Sequence, residues 1–138
     1  MVDKKIIARN FSRCAHLYDK YAAIQRFAAA ELLKEVPRRR FENILEIGCG
    51  TGIYTEMLKK RFGNSRIEAV DISPNMVEMA RRKLKDDAIK FVIGDAERPR
   101  LKGNYDLVTS SAAFQWFEDM DTAILNFKNA LKAPEGII

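Results

Sequence analysis

Hydrophobic positions in this chain follow two rhythms. Between Lys4 and about Val36 they recur at helical spacing, with Ile7, Phe11, Cys14, Ala15 and Tyr18 on one face and Ile24, Phe27, Ala28, Leu32 and Val36 on another. This predicts two helices, or one broken near Asp19 to Tyr21. From Phe41 onward, short apolar runs alternate with helical stretches. Ile44 to Ile47 predicts a buried strand, and helical spacing resumes with Ile53, Tyr54, Met57 and Leu58 until Phe62, where Gly63-Asn64 predicts a left-handed stop. Arg66 to Val70 predicts a second strand that ends in Asp71. Ser73-Pro74 then supplies an N-cap and a first-turn proline for a helix whose inward stripe is Met76, Val77, Ala80 and Leu84. Ile89 to Ile93 predicts a third strand and Tyr105 to Thr109 a fourth, with a polar loop from Arg98 to Asn104 between them. A last helix fits Asp121 to Leu131, with Ala123, Ile124, Phe127, Ala130 and Leu131 inward, and Gly136-Ile137-Ile138 reads as the start of a fifth strand.

Apolar rather than alternating strands, separated by helices and short connections, predict an α/β fold: a doubly wound parallel sheet with helices on both faces. Pro37 and the three arginines after it mark a joint, so residues 1–38 read as an N-terminal helical cap and 39–138 as the sheet-bearing core. A sheet stopping after four to five strands would leave an apolar edge, and self-association through it is expected.

Composition narrows the class. With 47% apolar and 31% charged residues the chain has the balance of a folded globular domain, and 138 residues suffice for one such domain. No apolar run reaches the roughly 20 residues of a membrane helix, and the first residues lack the long apolar core of a secretion signal, so a cytoplasmic location is expected. Cys14 and Cys49 stand apart without ligand-like spacing, which argues against a disulfide or a zinc site. The net charge of +5 is concentrated in Arg38 to Arg40, in Arg81, Arg82, Lys83 and Lys85, and in Arg98, Arg100 and Lys102. Solvated faces explain each cluster alone; together they permit an acidic partner, either nucleic acid or an acidic carrier protein.

Candidate chemistry begins at Gly48-Cys49-Gly50-Thr51-Gly52, where the first strand turns into a helix. Such a turn is expected to gather free backbone N–H groups and to let a nucleotide-like ligand approach the main chain. Its spacing, GxGxG, differs from the dinucleotide fingerprint, in which the third glycine comes one residue later, at the position of Ile53. Glu46 precedes the first glycine; it would repel a pyrophosphate and attract an ammonium or sulfonium. Asp71 closes the second strand about twenty residues beyond the turn, where a carboxylate can accept from ribose hydroxyls. Asp95 and the Ala96 N–H, after the third strand, could meet an exocyclic amine and a ring nitrogen, and Ser110 and Ser111 follow the fourth. A helix-dipole role for Asp71 and a turn role for Asp95 are credible singly; polar residues at three successive strand ends favour a ligand. His16, the only histidine, has no oriented partner in the sequence.

Taken together, Leu45-Glu-Ile-Gly-Cys-Gly-Thr-Gly52, Val70-Asp-Ile-Ser-Pro-Asn-Met76, Gly94-Asp-Ala-Glu97 and Tyr105-Asp-Leu-Val108 resemble the class I S-adenosylmethionine-dependent methyltransferases, with their Rossmann-like fold. The segment from Ile7 to Tyr21, with Ile24-Gln-Arg26, is similar to the start of the malonyl-acyl-carrier-protein O-methyltransferases of biotin synthesis. Ser110-Ser-Ala-Ala-Phe-Gln-Trp116 also resembles that family, although Ser111 stands where its members commonly have asparagine. The resemblance implies S-adenosylmethionine as cofactor, with its methionine part against Gly48, Cys49, Gly50 and Gly52 and its ammonium anchored by Glu46. Asp71 would take the ribose, Ile72 and Ala96 would enclose the adenine, and Asp95 would meet its amino group. Ser110 is a further cofactor contact, and Tyr18 and Tyr21 would close over the site. The implied partner is acyl carrier protein bearing a malonyl group, rather than nucleic acid or a membrane, and no side chain is assigned a catalytic proton transfer. Another small acid, a quinone precursor or RNA remains an alternative acceptor, and a cofactor-binding module without catalysis an alternative class.

Overall fold

The computed structural model describes residues 3–18, 22–97, 104–111, 113 and 116–132, apart from the side chains of residues 11 and 14–18. Tyr21, the segment 98–103, Phe114, Gln115 and the expected strand start at Gly136 therefore lie outside the described residues, as do the side chains of Phe11, Cys14, His16 and Tyr18.

Among the described residues nine elements follow in order: α1 (Lys4–Tyr18), α2 (Ala23–Glu35), β1 (Asn43–Ile47), α3 (Ile53–Arg61), β2 (Arg66–Asp71), α4 (Pro74–Lys83), β3 (Ile89–Ile93), β4 (Leu107–Thr109) and α5 (Met120–Ala130). The strands form one parallel sheet in the order β3-β2-β1-β4, with Ile44 opposite both Ile67 and Leu107, and Ala69 opposite Phe91. The chain steps outward from β1 to β3 and then returns to the other side of β1. The strand order therefore reverses beside the glycine turn, where ligands of such sheets gather.

The two-residue period of β1 divides the core. Ile44 packs with Phe41, Leu58, Ile67, Val77 and Phe91 on the face covered by α2, α3 and α4. Leu45 and Ile47 pack with Val70, Val108, Ala123 and Phe127 on the face covered by α5. Ser73 caps α4 as expected, its hydroxyl accepting from the Met76 N–H at 3.3 Å.

Three expectations need correction. Gly63 and Asn64 are not left-handed: among the described residues only Gly48, Gly50 and Gly52 have positive φ. The α3 terminus is instead closed by Lys59 Nζ, which donates to the carbonyls of Gly63 (2.8 Å) and Ser65 (3.0 Å). The inward stripe of α2 is Ala29, Leu32, Leu33 and Val36, while Ile24 and Phe27 are 82% and 69% exposed. Lastly, β4 begins at Leu107, because Tyr105 forms an isolated parallel bridge with Leu131.

Candidate functional site

Positive φ at Gly48 (71°), Gly50 (54°) and Gly52 (89°) makes the turn after β1 a glycine structure by necessity. Crowding adds to this at Gly48, where a Cβ would stand 2.3 Å from the Ala113 Cβ. The amides of the turn are not free, contrary to the sequence expectation. Those of Gly48 and Cys49 donate to the Val70 carbonyl (2.7 and 3.0 Å), that of Gly50 to Asp71 Oδ2 (2.8 Å), and that of Gly52 to the Cys49 carbonyl (2.9 Å). Because β1 and β2 are adjacent and end together, the second strand consumes the donors that a phosphate would need. The turn offers close backbone approach without an anion cradle.

On the carboxyl side of the sheet lies a cleft walled by Gly48, Gly50, Asp71, Ile72, Gly94, Asp95 and Ala96. Asp71 holds the turn through Oδ2 and the first turn of α4 through Oδ1, which accepts from the Ser73 N–H at 2.9 Å. Burial raises its pKa, and these amides pull the other way. The carboxylate, able to accept about four hydrogen bonds, retains capacity for a ligand donor.

A second, smaller cavity shares Gly48 and Gly50 with the first. Its walls include Glu46, Cys49, Tyr54, Ser111 and, from α2, Gln25. Glu46 is 1% exposed and accepts from Thr55 Oγ1 at 2.5 Å. Desolvation pushes its pKa up to about 8, against the Thr55 hydrogen bond, with the Asp71 charge adding to the rise. Cys49 is buried and its thiol pKa is raised by the same desolvation. Tyr54 Oη shares a proton with Thr109 Oγ1 at 2.9 Å, and burial lifts its pKa to about 12.

Of the residues singled out from sequence, Glu46, Gly48, Cys49, Gly50, Asp71, Ile72, Asp95 and Ala96 line these two joined cavities. Gly52 packs behind the turn, where its added Cβ would come within 3.0 Å of Leu84. Ser111, not Ser110, lines the smaller cavity; Ser110 Oγ is buried without a hydrogen-bond partner among the described residues. Tyr21 and the Tyr18 side chain lie outside the described residues.

Trp116, for which the sequence allowed packing or ligand contact alike, lines the larger cleft; sequence reasoning missed Lys4, Ile7, Glu97 and Phe117 there, and Gln25 and Thr55 around the smaller cavity. Thr55 carried a faint signal, since a hydroxyl in the first turn of the helix after Glu46 can reach back over the strand. Lys4 carried none: its partners are some ninety residues away along the chain, Asp95 Oδ2 at 2.9 Å and Glu97. Among the described residues no cluster of His, Cys, Asp and Glu could hold a metal, and no helix is long and apolar enough to cross a membrane.

Comparison with known proteins agrees with this geometry. A family model described as "Methyltransferase domain" matches residues 44–136. Malonyl-[acyl-carrier protein] O-methyltransferases of Priestia megaterium and Acetivibrio thermocellus are 38% and 39% identical to the chain, over 99% and 100% of its length and 50% and 49% of theirs. The chain thus spans about half the length of the curated relatives it matches. Among solved structures, a putative methyltransferase complexed with the Trm112 activator of Haloferax volcanii superposes with a TM-score of 0.81 at 26% identity, over 91% of this chain and 57% of that one. The N-methyltransferase NodS of Bradyrhizobium japonicum, solved with S-adenosyl-L-homocysteine, gives a TM-score of 0.69 at 27% identity, over 78% of this chain and 56% of that one. With a family model covering most of the chain and a parallel sheet with two cavities on either side of its glycine turn, this chain belongs to the methyltransferase-domain family.

Proposed function

We propose that the chain binds S-adenosylmethionine across its two joined cavities and methylates the free carboxylate of a malonyl group carried by acyl carrier protein. The observation that carries the cofactor reading is the donor set around the glycine turn. One cavity is walled by Asp71 and Asp95, the other by Glu46, and the backbone between them is stripped of side chains at Gly48 and Gly50. Acidic and apolar walls suit a cationic amino acid joined to a nucleoside, and turn amides already occupied by protein acceptors do not suit a pyrophosphate. When bound, the cofactor supplies an electrophilic methyl group on a sulfonium.

Each residue has a distinct task in this reading. Glu46 receives the ammonium in the smaller cavity, and Thr55 fixes the orientation of its carboxyl. Asp71 accepts from the ribose hydroxyls while holding the turn, and Ile72 and Ala96 enclose the adenine beside Asp95. A carboxylate acceptor is a nucleophile at neutral pH, so positioning and exclusion of water suffice for transfer, without a general base. The acceptor is supported by likeness to several malonyl-[acyl-carrier protein] O-methyltransferases at 35% to 44% identity, of which those matching 99% or more of the chain include its N-terminal helices.

Calorimetric titration with S-adenosylmethionine and with NAD, in the parent and in Asp71→Ala, tests the cofactor. Binding of S-adenosylmethionine that weakens at least tenfold in the variant is expected, and binding of NAD alone would overturn the reading. Methyl transfer is then assayed on carrier-bound malonate, free small acids and RNA. Product on the first is expected, and product on RNA alone would replace the acceptor.

A further inference from the structure

The larger cleft has one wall that does not belong to the sheet. Lys4 and Ile7, from the first two turns of α1, close the side facing Asp95 and Glu97. Every described side chain of α1 is at least partly exposed. Ser12 Oγ meets Ser73 Oγ at 2.6 Å, and the Ser12 carbonyl accepts from Asn75 Nδ2 at 3.0 Å. Both contacts sit on the first turn of α4, leaving the amino end of α1 to Lys4.

Lys4 is well placed for that task. Its ammonium bridges Asp95 and Glu97, and the Lys4 and Glu97 side chains are 20% and 7% exposed. Glu97 is anchored from the opposite side, since its Oε1 accepts from the Asp119 N–H at 2.8 Å and its carbonyl from Asn126 Nδ2 at 2.9 Å. A buried carboxylate tied to the start of α5 thus presents its other oxygen to a cation on α1. Withdrawing that cation leaves Glu97 uncompensated in a poorly solvated place, so the pair favours the closed position of the helix.

We propose that Lys4 is a latch: by bridging Asp95 and Glu97 it holds α1 over the cleft, and a ligand enters or leaves when this bridge opens. Lys4 is thereby a positioning residue, setting the residence time of the ligand and the orientation of Asp95 without touching reacting atoms. The part that concerns the cofactor rests on the function proposed above; the closure of α1 does not.

The test compares the unaltered chain, Lys4→Met, Lys4→Arg and Glu97→Gln. Amide exchange of residues 7–12 is followed without ligand, and the dissociation rate of S-adenosylhomocysteine is measured by displacement. Lys4→Met is expected to speed α1 exchange at least tenfold while leaving the β1 and β2 amides unchanged, and to raise the dissociation rate at least tenfold. Lys4→Arg should restore both, and Glu97→Gln should reproduce the exchange effect. Added salt should quicken α1 exchange in the unaltered chain and not in Lys4→Met. Unchanged α1 exchange in Lys4→Met would overturn the latch. Failure of the unaltered chain to bind S-adenosylhomocysteine would instead overturn the cofactor reading, with the exchange comparison still deciding whether Lys4 holds the helix.

Discussion

Glu46 is a residue on which burial acts heavily at the candidate site. An ordinary glutamic acid is ionised at neutral pH, but this one, at 1% exposure and with Thr55 as its hydrogen-bond partner, titrates at about 8. The folded protein therefore binds the proton more tightly than the unfolded chain does. Stability contributed by the neutral form is present below the unfolded pKa, 4.5, and is lost as pH rises from there toward 8. Glu46→Gln should remove this slope and raise the stability of the ligand-free protein at pH 8 by a few kcal/mol, on the order of the shift; denaturant melts at pH 5 and pH 8 would show it. The same variant should lose affinity for a ligand bearing an ammonium. Gly48→Ala, in contrast, should cost about 2 to 3 kcal/mol or more, because a left-handed backbone and a clash with Ala113 coincide there. Chemical denaturation together with titration would separate the loss of fold from the loss of binding.

Elements were legible where apolar runs are short and sharply bounded. The residues 89–93 strand and the Ser73-Pro74 helix start lie where the sequence places them, since glycine, aspartate and proline punctuate them on both sides. The orientation of α2 was not legible, because the helix carries apolar residues around most of its circumference. Either Ile24, Phe27 and Ala28 or Ala29, Leu32 and Leu33 could have faced inward, and only contact with α3 selects the second set. The joint replacement Ile24→Lys with Phe27→Glu should change stability by no more than about 0.5 kcal/mol, whereas Ala29→Asp should cost about 2 kcal/mol or more by burying an unpaired charge. Thermal melts of the two variants would decide between the faces. Within the site, strand ends pointed to Asp71, Asp95 and Glu46. The α1 wall was invisible, since no local pattern announces an ion pair between the chain's fourth residue and the end of its third strand. Ser73 joins both levels: Ser73→Ala should cost about 1 kcal/mol through the lost cap of α4 and should also loosen the seat of Ser12, measurable as faster exchange in α1.

At the scale of the whole molecule, charge among the described residues is sorted along the strand direction. Parallel strands alternating with helices bring the carboxyl ends of α2, α3 and α4 to the amino end of the sheet. The last turns of α3 and α4 carry Lys59, Lys60 and Arg61, and Arg81, Arg82 and Lys83. Arg38 to Arg40 precede β1 at the same pole, lining a hollow with Arg61 and Phe62. The glycine turn begins after the five residues of β1, about 17 Å farther along. In the proposed reaction, a carrier protein docked on this arginine cluster would have to span that distance to place its cargo in the cavities. Replacing Arg38, Arg39 and Arg40 together by glutamate should change the KM for carrier-bound malonate by less than about threefold. Steady-state kinetics would check this, and a tenfold rise would place the docking surface at the basic pole.

The same sorting of charge gives the molecule a preferred way to rest on a solid support. On a cation-exchange resin or a silica surface, the pole bearing Arg38 to Arg40 and the ends of α3 and α4 would attach first, while the acidic cleft of Asp71, Asp95 and Glu97 faced the bulk solution. Immobilised this way, without tag or linker, the protein would keep its cavities open to whatever flows past.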